Sequence, residues 1–186
     1  DPTAAAAGAV GPLLDDDGAG LAHPDLHDQV QQDALLRQQA RILAEAQGRP
    51  LILADGPPGI GCPVISSLAG ADLALLVTEP TPSGRHDLQR VAELCAHFRV
   101  PAGVIVNKCD LNPEQAEGIA ADCEAAGLPL LGRLPHDPAV TAAMVRGLTI
   151  TEYRSDGLAS RIRDIWSRVR ECLAAPAAPV GSFNQP

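Results

Sequence analysis

The sequence predicts an α/β domain with a mainly parallel sheet flanked by helices. Three observations carry this. Short apolar runs of strand length recur at Leu51–Ala54, Leu73–Thr78, Ala102–Val106 and Leu128–Leu134. Stretches with helical spacing of apolar residues separate them. The runs are continuous rather than alternating, as in strands buried on both faces, and strand–helix alternation of this kind builds βαβ units.

The elements follow in order. Residues 1–24 are rich in Ala, Gly, Asp and Pro without apolar period, and are expected to be disordered or poorly packed. From Leu26 to Gln47 the spacing is helical, with Leu26, Val30, Leu35, Leu36, Ile42 and Leu43 roughly on one side and Gly48 as a stop. Arg49-Pro50 leads into Leu51–Ala54, read as a buried strand. Ser83–Phe98 sets Leu88, Val91, Leu94, Cys95 and Phe98 on one helical face. Asn112 as N-cap, Pro113 in the first turn and Gln115 three residues after the cap start a helix that runs to Ala126 and stops at Gly127. Asp137-Pro138 repeats that start for Ala139–Arg146. Ser155–Leu173 is the last helix, with Leu158, Ile162, Ile165, Trp166, Val169 and Leu173 on one stripe. One domain is expected over 25–173, and a flexible tail over 174–186.

Composition bounds the partners. The chain has 186 residues and a net charge of −9, which argues against nucleic acid or an anionic membrane as the main partner. Apolar residues make up 46% but aromatics only 2%, so the core must rest on Leu, Ile, Val and Ala. The cysteines Cys62, Cys95, Cys109, Cys123 and Cys172 form no Cys-x-x-Cys pair and read as reduced cytosolic thiols. No signal peptide or membrane span is visible. The first residue is Asp rather than Met, a hint that the N-terminus is cut.

In open parallel sheets, ligands sit beyond the carboxyl ends of the strands, so the residues after each run matter most. Asp55-Gly56-Pro57-Pro58-Gly59 follows the first. An acid at the end of a buried apolar strand is costly without a partner such as hydrated Mg²⁺. The glycines permit close backbone approach, the prolines stiffen the loop, and the Gly59 N–H suits a phosphate oxygen. The alternative is a plain strand–turn–helix connection with a capping Asp. Glu79-Pro80-Thr81-Pro82-Ser83-Gly84 follows the second run and reads as a structural connection. Asn107-Lys108-Cys109-Asp110 follows the third. An Asn amide both donates to and accepts from a purine edge, and a Lys stem lies along a ring. Lys108 is the only lysine in the chain. The alternative there is a turn with an Asx cap. After the fourth run, the backbone around Pro135 suits packing on a base, and Asp137 caps the next helix.

Taken together, DGPPGIGCPVISSLAGADLALLVTEPTPSGRHDLQRV, VIVNKCDLN and LLGRLPHDPAV resemble the C-terminal half of MinD/ParA-type ATPases, most of all MinD-superfamily ATPases with an inserted ferredoxin domain. The resemblance runs from about Leu26 to Leu173 and implies a P-loop NTPase-like fold, incomplete at its N-terminus. It implies that Asp55 is the catalytic acid that helps hold Mg²⁺, with Gly56 to Gly59 as the switch. It implies that Asn107, Lys108 and Asp110 recognise the base of ATP, with Pro135 to Asp137 packed on it. Asn-Lys-x-Asp alone would equally suit GTP. It further implies a homodimer and an iron–sulfur or redox partner protein.

This sequence departs from the family in one large respect. The family's phosphate loop is KGGxGKT, and no Gly-Lys pair occurs here. The first strand and the cysteine-rich insert are also absent, so any iron–sulfur cluster belongs to a region upstream. The chain alone is then expected not to hydrolyse ATP and to bind it weakly or not at all. Asp55 and Asn107 favour the nucleotide reading; the missing lysine loop favours a degenerate, non-catalytic dimerisation module.

Three other features have ordinary readings. Cys62 at a helix start suits a redox role less well than a buried thiol. Arg161, Arg163, Arg168 and Arg170 suit a solvated face better than a membrane surface. His86 and His136 lie near the site edge without metal-ligand spacing.

Overall fold

A computed structural model describes residues 24–56, 62–68 and 70–174, the backbone alone at 24–34 and at 62–63. The expectations for residues 1–23 and 175–186 lie outside the described residues. The chain divides into two compact units between Ile52 and Leu53.

In the first unit, helix α1 spans Pro24–Ala46. It stops as the spacing predicts: Gly48 takes φ +63°, and Gly48 and Arg49 return hydrogen bonds to the Glu45 and Ala44 carbonyls. Leu35, Leu36, Ile42 and Leu43 are exposed.

The second unit holds three parallel strands in the order β1 (Ala74–Thr78), β2 (Ala102–Asn107), β3 (Leu130–Leu134). Its helices are α2 (Cys62–Leu68), α3 (Pro82–His97), α4 (Pro113–Ala125), α5 (Ala139–Val145), α6 (Ile150–Tyr153) and α7 (Leu158–Ala174). α6 was not anticipated. It is a single turn held by a capping box between Thr149 and Glu152, too short to show a periodicity. The last helix starts at Leu158 rather than Ser155, and the third strand at Leu130 rather than Leu128.

One expectation is corrected. Leu51–Ala54 is not a strand. It runs outside any ladder, with Leu51, Ile52 and Leu53 exposed. Apolar content makes a strand only where a neighbour takes its N–H and C=O groups, and no described strand lies alongside.

The sheet separates two cores. On one face Leu76, Val104 and Val106 pack with Leu88, Ala92 and Cys95 of α3 and Ala116, Ile119 and Cys123 of α4. On the other, Ile105 and Leu131 pack with Ile165 and Val169 of α7. The successive residues Val104, Ile105 and Val106 alternate between these cores, which explains why the run is continuously apolar. Asn112 caps α4 through Gln115 N at 3.1 Å, and Pro113 opens it. Arg85 of α3 reaches Asp122 of α4 through two hydrogen bonds of 2.6 and 2.8 Å, locking the two helices side by side.

A register shift between Val104 and Ile105 inserts Leu131 as an extra residue in β3. Leu131 and Gly132 therefore both turn toward α7. Two glycines make room: a Cβ at Gly103 would meet Leu131 Cδ1 at 2.6 Å, and one at Gly132 would meet Ile165 Cδ1 at 2.5 Å.

Candidate functional site

The loops after β1, β2 and β3 emerge at the same edge because the strands are parallel. After β1, Thr78 is buried and its hydroxyl donates to Gly84 O at 2.9 Å. Thr81 caps α3 by accepting from Gly84 N at 3.0 Å. A Cβ at Gly84 would meet Glu79 O at 2.5 Å, so the Pro-rich turn folds back tightly on its own helix.

After β2, Asn107 is the last strand residue and half-buried. Lys108 takes φ +51°, an uncommon conformation for a residue with a side chain, and turns the chain sharply. Its Nζ lies 2.7 Å from Glu79 Oε1, which ties the β2 loop to the β1 loop. Cys109 N donates to Leu134 O at 3.0 Å. Asp110 Oδ1 accepts from His136 N at 2.6 Å, which ties the β2 loop to the β3 loop.

After β3, Pro135 is half-buried and His136 exposed. Asp137 Oδ1 accepts from Ala139 N at 2.8 Å, the expected capping of α5, and its Oδ2 lies 3.5 Å from Arg154 Nη1. Arg154 also holds Asp156 at 2.7 Å, which keeps that carboxyl below its usual range. Sequence reading missed Glu79 and Arg154. Nothing local marks either, since their partners are distant in sequence.

Asn107, Lys108, Asp110, Pro135 and Asp137 therefore stand on two adjoining, cross-tied loops. Asp55 and Gly56 are exposed, and a side chain at Gly56 would meet Ser67 Oγ of α2 at 3.5 Å. Pro57, Pro58 and Gly59 lie outside the described residues, as does the side chain of Cys62, which opens α2.

Asp55 is an exposed carboxylate, the ligand type of which hydrated Mg²⁺ takes one or two, its other positions filled by water and phosphate oxygens. Cys95 and Cys123 do not suit an iron–sulfur cluster. Both sit in the apolar core, where burial pushes their thiols up to about 11 and disfavours the ligating thiolate. Among the described residues no group of three or more His, Cys, Asp and Glu could hold a metal ion. No described helix is long and apolar enough to cross a membrane.

No protein-family model matches the chain. It is 33% identical over 127 residues to a cytosolic Fe-S cluster assembly factor Nubp1 homolog of Drosophila grimshawi, covering 57% of this chain and 41% of that protein. It thus spans less than half the length of that relative. Its fold is similar to the MinD cell division protein of Aquifex aeolicus, with a TM-score of 0.63, 23% identity, and coverage of 76% of this chain and 61% of that one. It is also similar to the septum site-determining protein MinD of Pyrococcus horikoshii complexed with Mg-ADP, with a TM-score of 0.54, 24% identity, and coverage of 67% and 51%. The parallel sheet flanked by helices thus has the fold of these MinD structures, and part of the chain is similar in sequence to the Drosophila relative.

Proposed function

We propose that this chain carries the switch and base-recognition parts of an ATP site, as a segment of an iron–sulfur-associated MinD-like ATPase, and does not hydrolyse ATP by itself. The observation that carries this is the joining of the β2 and β3 loops at the carboxyl edge of a parallel sheet, where such folds take their ligands. Asn107 reads the purine edge, and Pro135 to Asp137 pack on the base. Lys108 and Asp110 belong to the same loop. Asp55 holds hydrated Mg²⁺, and Gly56 with Pro57, Pro58 and Gly59 senses the terminal phosphate.

Phosphoryl transfer needs cationic groups to offset charge on the transferred phosphoryl. The sole lysine here is engaged with Glu79, and no Gly-Lys pair is present. Hydrolysis therefore requires groups supplied from outside this segment. The absence of a lysine loop also supports a second reading, a non-catalytic dimerisation module that keeps the fold for contact with another copy. The Mg-ADP complex of the Pyrococcus protein and the cluster-assembly role in the Drosophila relative's name support the nucleotide and the iron–sulfur association of the first reading.

Thermal unfolding in the presence of Mg–ATP and Mg–GTP separates the readings. A ligand at 100-fold excess over its Kd adds about 2.7 kcal/mol of stability. Stabilisation by Mg–ATP only at concentrations well above a weak Kd, without phosphate release, is the expected result. Stabilisation by Mg–GTP alone would assign the site to guanine, and no shift with either would favour the dimerisation module.

A further inference from the structure

Two side chains of the Asn107-Lys108-Cys109-Asp110 turn are directed at neighbouring loops. The Lys108 ammonium meets Glu79, and the Asp110 carboxylate meets the main chain of His136. His136 is the central residue of Pro135–Asp137, the stretch assigned to the base. Its N–H has Asp110 Oδ1 at 2.6 Å, a short charge-assisted bond. Beside it, Cys109 N donates to Leu134 O. The β3 loop is thus held at two successive points by the turn that follows Asn107. The far end of the same loop is held by Asp137, through Ala139 N and Arg154.

We propose that Asp110 is a positioning residue: it latches the β3 loop against the Asn107 turn and does not itself contact the base. The inference rests on the nucleotide reading of this edge. Its consequence is chemical. A free carboxylate beside a purine would select guanine, whose edge presents neighbouring N–H donors. With Oδ1 committed to a backbone N–H, the carboxylate does not present both oxygens to neighbouring donors of a guanine edge, and base selection is left to the Asn107 amide, which both donates and accepts.

The test uses the whole chain and two variants, Asp110→Ala and Asp110→Asn. Two quantities are read by NMR: hydrogen exchange of the His136 amide without ligand, and affinity for adenosine and guanosine, probes that do not depend on a phosphate loop. In D110A the His136 amide exchanges about tenfold faster, and adenosine affinity falls about tenfold, the size expected for one charge-assisted bond. D110N keeps an oxygen acceptor and restores both, so a general loss of folding cannot imitate the result. Unchanged His136 exchange in D110A would overturn the latch, as would loss of guanosine binding alone with adenosine binding intact. A wild-type chain that shifts with neither nucleoside would refute the nucleotide reading itself, while the exchange measurement still decides whether the latch exists.

Discussion

Replacing Gly132 by Ala tests the closest approach to a glycine among the described residues. The added methyl would stand 2.5 Å from Ile165 Cδ1 and nearer still to Cγ1, well inside van der Waals contact. Ile165 of α7 is itself buried against the sheet beside Ile105 and Leu131 and has little room to move. Forcing a methyl into a packed core costs about 1–3 kcal/mol. Restricting the unfolded chain returns about 0.5–1 kcal/mol. The net expectation is destabilisation by about 1–2 kcal/mol. Ile165→Ala removes both clashing atoms and leaves Ile165 Cβ at 3.8 Å, an ordinary contact. I165A alone costs about 2–5 kcal/mol. In the double variant the clash is gone, so the sum of the single effects should exceed the double by the clash itself, about 1–3 kcal/mol. Guanidinium unfolding followed by the fluorescence of Trp166, the only tryptophan and one residue from Ile165, measures all four corners. Additive effects, or a G132A chain as stable as the parent, would refute the bulge geometry that brings Gly132 under α7.

Two further outcomes follow from the structure. The Cys95 and Cys123 thiols are raised to about 11, so the folded state holds their protons longer than the unfolded chain does. Their contribution is complete below the usual thiol range near pH 9 and is lost as pH rises toward 11, with a slope of up to about 1.4 kcal/mol per pH unit for each thiol. Unfolding free energies across that range should fall more steeply for the parent than for the Cys95→Ala, Cys123→Ala double variant; equal slopes would count against the raised values. Asn112→Ala leaves Gln115 N without its acceptor at the start of α4 and should cost about 1 kcal/mol, read as a shift in the denaturant midpoint at unchanged m-value.

Much of this fold was legible without coordinates. The strands after Leu73, Ala102 and Leu128 carry enough β-branched and aliphatic residues to show as apolar runs, and the central one is buried on both faces. The helices opening at Pro82 and Pro113 carry an N-cap residue immediately followed by proline, local chemistry that needs no tertiary partner. Leu51–Ala54 misled because its apolar content is strand-like, while strand formation depends on a neighbour that composition does not reveal. At the sheet edge, the strand-end position of Asn107 and the capping role of Asp137 were visible because motif and cap positions are local. Glu79 and Arg154 were not, because their partners Lys108 and Asp137 are brought to them only by the parallel strand order and the packing of α6 beside α5.

By itself, then, the sequence determined an α/β domain with a parallel sheet and marked the residues just after its strands, because periodicity, caps and strand-end residues are written within a few residues of one another. Only the tertiary structure decided that Lys108 and Asp110 serve their neighbouring loops and that Gly103 and Gly132 exist for space. An ion pair, a latch to a distant main-chain N–H and a methyl-sized gap are each properties of two segments at once, and neither segment records them alone.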